Sequence, residues 1–342
     1  MNTFLRVGIP PATVVCLCLF LCVPTCAAAD VSPSSRHPFD PDVLSSKVYS
    51  EVYTLDALYD DHTFIQTQMI VTNIGLGDSN AACEMLVLRV GDKPNKTCKR
   101  FKKNGWKFSR SPDPTLSIGS CRLAQEGEST KCTMAIDGTT ADFTLDRPPK
   151  SERTSQTVVA VKASKRFYSD EVLIPWTRLR TTLRSPGLPE KQLLGYGMLV
   201  HSRSIGYPKD FSRGWIFFYG CRNGSQYLAN FHFPACKDGC AVGWTWKSQD
   251  EAPKPLEGLR MVMTGTKKEN ILPTVSAPRE SILIAGRQSL FRFSIIDELG
   301  PFLGCIVKLI VGNPVTHYYW AQAQVVPGEP PIDGVLEVMN FE

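Results

Sequence analysis

The sequence predicts an all-β protein made of two tandem β-barrels, with one short helix near the C-terminal third. Runs of β-branched and aromatic residues recur about every ten to fifteen positions, separated by Gly, Pro, Asn and Asp. This spacing is typical of antiparallel barrels and sandwiches, not of alternating strands and helices. Several runs alternate, as in Trp215, Phe217 and Tyr219, which favours strands with one buried face. The length of 342 residues is sufficient for two domains.

The first residues have the order of a secretory signal peptide. One positive charge at Arg6 precedes an uncharged apolar run over residues 13–23, and the small residues Ala27, Ala28 and Ala29 follow. This order predicts cleavage after Ala29, and the run is shorter than the roughly 20 residues that a membrane-spanning helix needs. We therefore expect a signal peptide over 1–29, a flexible leader over 30–44, and a mature protein that is secreted or enters the lumen of the secretory pathway.

The two barrels are expected over residues 45–169 and 170–342. The boundary is placed near residues 170–176, between proline-rich stretches at 147–149 and 183–189. A similar turn-and-strand sequence closes each half, Ile136-Asp137-Gly138 in the first and Ile332-Asp333-Gly334 in the second. Because a tight turn of this kind feeds a strand in many hairpins, the similarity suggests an internal duplication.

One segment departs from the β pattern. Apolar residues recur at helical spacing between Leu299 and Ile310, Asp297 can cap the start, and Gly312-Asn313-Pro314 can close the end. We expect a helix over 297–311, either packed on a barrel wall or acting as a lid.

The cysteines and two tripeptides agree with export. Of the twelve cysteines, eight follow residue 29, and an even number in an exported chain predicts disulfides. Cys121 and Cys132 lie symmetrically about Glu126-Gly127, as opposed residues of a hairpin would, so we expect a disulfide between them. Acceptor tripeptides at Asn95 and Asn223 predict a glycoprotein if the pathway is eukaryotic.

A set of C-terminal motifs resembles a known family. Residues 195–202 read Gly-Tyr-Gly-Met-Leu-Val-His-Ser, Tyr207-Pro208 follows, and residues 214–218 read Gly-Trp-Ile-Phe-Phe. Residues 314–320 read Pro-Val-Thr-His-Tyr-Tyr-Trp, and residues 333–341 read Asp-Gly-Val-Leu-Glu-Val-Met-Asn-Phe. In this order they resemble the second domain of the survival factor family, which is related to hydroxyneurosporene synthase, also called carotenoid hydratase. The likeness covers about residues 193–342, with a fainter trace over 49–145.

The resemblance implies two tandem lipocalin-like barrels. Survival factors are described as non-enzymatic proteins linked to sphingolipid handling, whereas relatives include hydratases and cyclisation catalysts. Three departures are present. The turn here is Tyr207-Pro208-Lys209 where the family has Lys-Pro, and the next strand has Arg213-Gly214-Trp215 where the family has Arg-Trp. A signal peptide is also expected here, whereas survival factors associate with membranes from the cytosolic side. The fold and the ligand class can therefore be carried over, but the cellular role cannot.

We interpret the protein first as an exported, non-enzymatic carrier of a hydrophobic ligand such as a sphingolipid-like lipid, bound in the second barrel. Aromatic side chains on its strands would line the site, although they could equally fill a closed core. The expected ligand-binding residues are Trp215, Phe217, Tyr219, Phe231, Phe233, Tyr318 and Trp320.

Two other functions stay open. One is an enzyme of the hydroxyneurosporene-synthase class, a hydratase, isomerase or cyclase acting on an isoprenoid or other apolar substrate. His201 or Asp56 could then protonate an alkene, but no local signature marks either, so no catalytic residue is predicted. The other is a disulfide-bonded, glycosylated surface module that binds a partner. No metal site and no cofactor are expected, because His232, Cys236 and Cys240 match no standard zinc spacing and nucleotide-binding motifs are absent.

A basic run over residues 96–110 is the most charged part of the chain. Basic residues alternate there with Phe101, Trp106 and Phe108, a composition that can bind anionic membrane headgroups but also suits a solvated hairpin. A nucleic-acid partner is not expected for an exported protein. The basic residues are Lys96, Lys99, Arg100, Lys102, Lys103, Lys107 and Arg110.

Overall fold

The fold is nearly all β-strand, as predicted, and consists of a near-closed barrel followed by a half-barrel. The computed structural model describes residues 37–74, 79–103, 105–149, 156–161, 166–222, 225–234, 242–246, 254–256, 260–264, 272–277, 282–294, 314–325 and 328–341. The predicted tandem arrangement of lipocalin-like barrels is therefore confirmed. The helix predicted over 297–311 lies outside the described residues. Within them, no helix is long and apolar enough to span a bilayer.

The first barrel is a sheet of twelve antiparallel strands in the order β4-β3-β2-β1-β12-β11-β9-β8-β7-β6-β5, with β10 paired to β11. Its two edge strands, β4 and β5, follow each other in the chain, so the seam of the barrel lies between them. The strands are β1 Tyr49–Tyr59, β2 Thr63–Thr72, β3 Asn80–Arg89, β4 Asn95–Phe101, β5 Trp106–Ser109, β6 Thr115–Ile118, β7 Cys121–Glu126, β8 Ser129–Ile136, β9 Thr139–Leu145, β10 Gln156–Val161, β11 Arg166–Arg184 and β12 Lys191–Ile205.

The second sheet contains nine antiparallel strands in the order β16-β15-β14-β13-β21-β20-β19-β18-β17. A single turn of helix, α1 at Pro208–Phe211, connects it to the first sheet. Its strands are β13 Ser212–Arg222, β14 Ser225–Pro234, β15 Val242–Trp246, β16 Lys254–Leu256, β17 Arg260–Thr264, β18 Leu272–Ala277, β19 Ile282–Ser294, β20 Pro314–Gln324 and β21 Ile332–Phe341.

The division between the sheets comes later in the chain than the boundary expected at 169/170. That boundary falls inside β11, which pairs with β9 on one side and with β12 on the other. The Gly-Tyr-Gly stretch also belongs to the first barrel, because β12 pairs with β1 along its length. A Cβ at Gly195 would lie 2.3 Å from the carbonyl oxygen of Leu58, so this close strand approach requires glycine.

The start of the described chain is packed, although a flexible leader was expected over 30–44. Phe39 is fully buried in the core of the first barrel, where its ring meets Tyr53 edge-on at 6.4 Å. The backbone N–H of Asp42 donates to Glu51 Oε2 at 3.0 Å. The large apolar side chain of Phe39 was the sequence signal that this segment packs against the first barrel.

Strand alternation creates three apolar clusters. On β1, Tyr53, Leu55 and Ala57 point into the first barrel, and Leu58 points away from it. On β13, Ile216 and Phe218 belong to the core of the second sheet, while the intervening residues face the first. The third cluster joins both sheets, so the two barrels pack through one face of each. It contains Leu58, Phe64, Leu86, Leu88, Val172, Trp176, Met198, Val200, Tyr219, Trp246, Tyr318 and Val335.

The two Asp-Gly sequences that suggested duplication have different structural roles. Asp137 and Gly138, with φ values of 49° and 83°, form the turn between β8 and β9. Gly334 instead lies within β21 opposite Gly220, where a Cβ would be 2.0 Å from the carbonyl oxygen of Tyr219. The first glycine serves a left-handed turn, and the second serves close packing of two strands.

Candidate functional site

A cavity of about 200 Å³ lies between the two sheets. Its walls come from β2, β3 and β4 of the first barrel and from β13, β19, β20 and β21 of the second. Neither barrel forms it alone. The lining residues are Gln66, Gln68, Glu84, Met85, Leu86, Lys96, Trp215, Phe291, Phe293, Thr316, Tyr318, Glu337 and Met339.

Two carboxyl groups from different barrels meet beside this cavity. Asp56 on β1 is 2% exposed and Glu337 on β21 is 7% exposed. The side-chain amide of Gln66 donates to both, with Nε2 at 2.9 Å from Asp56 Oδ1 and 3.1 Å from Glu337 Oε2. Each carboxylate occupies a strand position whose neighbours on the same face are largely apolar, so the sheets bury both when they pack together.

Further hydrogen bonds fix the geometry of the pair. The Tyr318 hydroxyl donates to Gln66 Oε1 at 2.8 Å, which leaves the amide nitrogen of Gln66 directed at the two carboxyl groups. Tyr219 hydrogen-bonds to Asp56, and Trp215 hydrogen-bonds to Glu337. Such a satisfied network in a low-dielectric setting holds its members in one arrangement.

The pKa values of both carboxyl groups are shifted towards neutral pH. Burial raises the pKa of Asp56 to about 7, and the charge of Glu337 contributes to that rise. Burial also raises the pKa of Glu337 to about 7, against the hydrogen bonds from Gln66 and Trp215, which lower it. Because two charges this close oppose each other, the pair favours a state in which one carboxyl group is protonated and the other is ionised. At neutral pH it can therefore supply one acid and one base.

The rest of the cavity wall is mixed, with apolar side chains beside the polar Gln68 and Thr316 and with one charged end. Met85, Leu86, Phe291 and Met339 line the walls. Lys96 Nζ lies 3.2 Å from the centroid of the Phe293 ring, so a cation from β4 contacts an aromatic residue of β19. The same ammonium group is 3.9 Å from Glu84 Oε2.

Trp176 adds a buried hydrogen-bond donor to the interface between the sheets. It is 2% exposed, and its ring stacks near Tyr219 with centroids 6.2 Å apart. Within the described part of the chain, its indole Nε1 has no hydrogen-bond partner. The residue also sits where the register of β11 against β12 shifts between Ile174 and Thr177, an irregularity that often accompanies functional sites.

Five of the seven predicted aromatic residues lie around this interface, on the outer face of the second sheet. Trp215 and Tyr318 line the cavity, and Phe217, Tyr219 and Trp320 belong to the cluster between the sheets. Phe231 and Phe233 lie on β14, where they pair with Ile216 and Gly214, and their side chains are outside the described part. Ligand binding by these residues stays a prediction, and the five at the interface place such a ligand between the barrels and not inside the second one.

Of the two acids considered from sequence, Asp56 is at the site and His201 is not. His201 lies inside the first barrel, with Nε2 2.6 Å from Glu51 Oε1 and its ring stacked on Tyr53 at 4.4 Å. Burial alone would raise the pKa of Glu51, but hydrogen bonds from His201 and Tyr49 hold it below its ordinary value. This buried, hydrogen-bonded pair shares no contact with Asp56 or Glu337 among the described hydrogen bonds.

The structure does not join Cys121 to Cys132, the predicted disulfide pair. Both residues are thiols, as Cys83 is, but the register of β7 and β8 speaks against this pairing because it sets Cys132 opposite Leu123 and not opposite Cys121. Cys132 is therefore diagonal to Cys121, a relation that separates side chains by about 7–8 Å. The symmetric spacing about Glu126-Gly127 indicated the wrong register, because the hairpin is centred one residue later, at Gly127 and Glu128.

The predicted glycosylation sites and the basic run stay predictions, and the structure gives the positions of some of their residues. Asn95 is exposed at the start of β4, and Asn223 is outside the described residues, as are the side chains of His232, Cys236 and Cys240. In the basic run, the aromatic side chains of Phe101, Trp106 and Phe108 pack on the core of the first barrel. Lys99, Arg100, Lys102, Lys103, Lys107 and Arg110 are exposed.

Comparison with known proteins identifies the fold of this chain. No protein-family model and no curated protein matches the chain, so the resemblance to survival factors is not confirmed at the level of family. Solved structures do match. AttH from Nitrosomonas europaea superimposes with a TM-score of 0.57 and 13% identity, covering 92% of this chain and 100% of that one. CghA in complex with Sch210972 superimposes with a TM-score of 0.55 and 9% identity, covering 86% of this chain and 89% of the other.

The fold is that of tandem lipocalin-like barrels. At these identities the likeness establishes the fold alone. The function has to be inferred from the site.

Sequence reasoning missed Glu337 and Gln66. Glu337 lies between Val335 and Met339 on one face of β21, and Gln66 follows Phe64 on β2. For Glu337, a lone charged residue between apolar neighbours on one strand face was the available signal, whereas Gln66 shares its face with Gln68 and gave no such signal. The sequence could not show that residues 271 positions apart would meet.

Proposed function

We propose that this protein is an enzyme that transfers a proton to and from a small apolar substrate in the cavity between its barrels. One observation carries the proposal: two buried carboxyl groups, each with a pKa of about 7, share a hydrogen-bonded amide beside a cavity whose walls are partly apolar. Burying a carboxyl group lowers the stability of a fold. General acid–base catalysis needs groups whose pKa values lie near the working pH.

The geometry assigns different roles to the two acids. Glu337 lines the cavity and Asp56 lies behind it, so Glu337 is the group that touches substrate. As an acid it protonates an alkene carbon or a carbonyl oxygen, and Trp215 and Phe291 can stabilise the cation that forms. In a hydration, water then adds to the cation and releases its proton to the carboxylate that Glu337 has become. In an isomerisation, the same carboxylate removes a proton from a neighbouring carbon.

Asp56 acts through Gln66 and Tyr219. When one carboxyl group of the pair loses its proton, the charge discourages ionisation of the other. Asp56 and the network around it therefore hold Glu337 in its reactive protonation state, which makes Gln66 and Asp56 positioning residues.

Cavity size favours a small reacting unit over a whole lipid. A volume of about 200 Å³ is below the roughly 300–1,000 Å³ of sites that enclose drug-sized ligands, and a cavity of about 150 Å³ holds benzene. We expect a substrate of roughly ten carbon atoms, or the reacting end of a longer molecule. Alkenes and α,β-unsaturated ketones are the substrate classes that acid-initiated proton transfer suits best.

The test is proton exchange with solvent. The protein is incubated in deuterated buffer with a panel of terpenoid alkenes and unsaturated ketones, and deuterium incorporation or water addition is followed by mass spectrometry. Wild-type protein and Glu329→Gln, a change at an exposed glutamate, should label the same compound, and Glu337→Gln should lose at least about a hundredfold in rate, the usual contribution of a general acid. Equal rates in Glu337→Gln and wild type would exclude the proposed acid.

A carrier of a hydrophobic ligand is the second candidate, and the aromatic face between the barrels favours it. In this case the ligand-binding residues are those predicted from sequence, with Trp215 central because it lines the cavity. Native mass spectrometry should then show a co-purified ligand that is not turned over. Trp215→Ala should lose it, whereas Trp106→Ala should retain it, because the Trp106 indole donates to the Ser79 carbonyl within the first barrel.

A further inference from the structure

Three cysteines meet in the core of the first barrel. Cys83 on β3, Cys121 on β7 and Cys132 on β8 are 0%, 1% and 3% exposed, and all belong to one apolar cluster. The thiols of Cys83 and Cys121 hydrogen-bond to each other. Cys83 Sγ also lies 3.7 Å from the carbonyl oxygen of Ile118, the residue paired directly with Cys121. Two independent contacts therefore place Cys83 beside Cys121.

We propose that Cys83 and Cys121 form a disulfide across the interior of the first barrel. Sulfur atoms in hydrogen-bond contact need only a short approach to reach the bonded distance of about 2.05 Å. Cys132 is a less suitable partner for Cys121, because it lies diagonal to Cys121 along the β7–β8 ladder. The proposal is independent of the proton-transfer function, since none of the three thiols lines the cavity.

The position of this bond gives it a structural role. β4 and β5 are the edges of the first sheet, and each is paired on one side only among the described strands. Cys83 lies on the strand next to β4, and Cys121 lies two strands in from β5. The disulfide therefore joins the two ends of the sheet across the seam, where backbone hydrogen bonds do not.

Formation of the bond requires a disulfide oxidant. The Cys121 thiolate attacks one sulfur of a small disulfide such as oxidised glutathione and releases one thiol, which takes up the proton that Cys121 lost. The Cys83 thiolate then attacks the mixed disulfide at Cys121 and releases a second thiol, which takes up the proton from Cys83. The two protein thiols lose two electrons in total, and the oxidant becomes two thiols.

Tryptic mapping can decide which thiols are joined. Trypsin separates the three cysteines, because Cys83 falls in peptide 48–89, Cys121 in 111–122 and Cys132 in 132–150. The full chain is refolded from denaturant in a mixture of reduced and oxidised glutathione, blocked with N-ethylmaleimide under denaturing conditions, and digested without reductant. We expect peptide 48–89 linked to peptide 111–122, and loss of that species when reductant is added. Peptide 111–122 linked to 132–150, or both peptides alkylated and unlinked, would overturn the proposal.

Serine variants provide a second readout. Cys132→Ser should keep the cross-link, while Cys83→Ser and Cys121→Ser should each abolish it. Reductant should lower the melting temperature of wild type and Cys132→Ser by on the order of 10 °C, because opening a cross-link of this loop length restores freedom to the unfolded chain. A reductant-induced drop in Cys83→Ser as large as that in wild type would contradict the assignment. Mapping of the wild-type chain decides the matter if a variant fails to fold.

Discussion

At the scale of single residues, the proposed chemistry depends on one carboxyl group that is costly to bury. Glu337 holds its proton in the folded state at pH values where the unfolded chain has released it, since burial raises its pKa from 4.5 to about 7. The free energy of unfolding should therefore fall as the pH rises between these values, and remain at the lower level above pH 7. The raised pKa of Glu337 therefore lowers the free energy of unfolding at neutral pH.

Glu337→Gln should reverse that loss. The variant carries a neutral side chain of the same shape, so its free energy of unfolding relative to wild type should increase by roughly 3 kcal/mol between about pH 4.5 and pH 7.5. Urea denaturation at several pH values measures the difference. Glu329→Gln, at an exposed position, is the control and should change by less than about 0.5 kcal/mol. A pH-independent difference between Glu337→Gln and wild type would contradict the raised pKa.

Gln66 should set the pKa of both acids. Its amide donates to Asp56 and to Glu337, and each hydrogen bond lowers the pKa of its acceptor. Gln66→Leu removes both donors, so both carboxyl groups should titrate at higher pH, and the fold should lose roughly 1–3 kcal/mol because polar groups are left unpaired. Gln68→Leu changes the same face of β2 but keeps the Gln66 amide, so its titration should match wild type. A carboxyl titration in Gln66→Leu at or below the wild-type pH would refute this role.

At the scale of strands, the site depends on the close approach of β13 and β21. Gly334 faces Gly220 across this pair, and a Cβ at position 334 would sit 2.0 Å from the Tyr219 carbonyl oxygen. Tyr219 and Glu337 both belong to the site, so moving the strands apart should disturb its geometry as well as its packing.

Gly334→Ala should therefore cost both stability and activity. We expect a loss of roughly 1–3 kcal/mol in the free energy of unfolding, as for other overpacked sites, together with a lower rate of proton exchange. Gly127→Ala is the matched control, because Gly127 has a φ of 58° and a Cβ added there would meet nothing within 4 Å. Its cost should be confined to backbone strain, about 1–2 kcal/mol, with the rate unchanged. Unaltered activity in Gly334→Ala would show that the strand approach does not govern the site.

For the strands, prediction from sequence identified two distinct faces but not which face is turned towards the other barrel. Alternation in runs such as Trp215, Phe217 and Tyr219 identified strands with two distinct faces, and the structure has them. The alternation could not show which face turns towards the other barrel. β11 and β12 are long strands that complete the first barrel. The boundary was placed too early because it was inferred from proline-rich stretches, and the second of these, at 183–189, lies at the turn between β11 and β12.

At the scale of the whole molecule, the site exists only because two barrels pack face to face. Gln66 from the first barrel binds Glu337 from the second, 271 positions later in the chain, and Lys96 of β4 reaches Phe293 of β19. Periodicity within one strand carries no information about such a pairing, so Asp56 could be considered from sequence while its partner could not. The tandem fold, by contrast, follows from local strand and turn signals spread along the chain.

The central claim is that one of the two carboxyl groups, Asp56 or Glu337, keeps its proton near neutral pH, and infrared titration of the carboxyl groups tests it most directly. Ordinary carboxylic acids in proteins lose their carbonyl band near pH 4. Wild-type protein should keep a protonated-carboxyl band at about pH 6 and lose it between about pH 6 and pH 8, and the double variant Asp56→Asn, Glu337→Gln should lack this late band. A wild-type spectrum whose carboxyl bands have all vanished by about pH 5.5, matching the double variant, would contradict the claim.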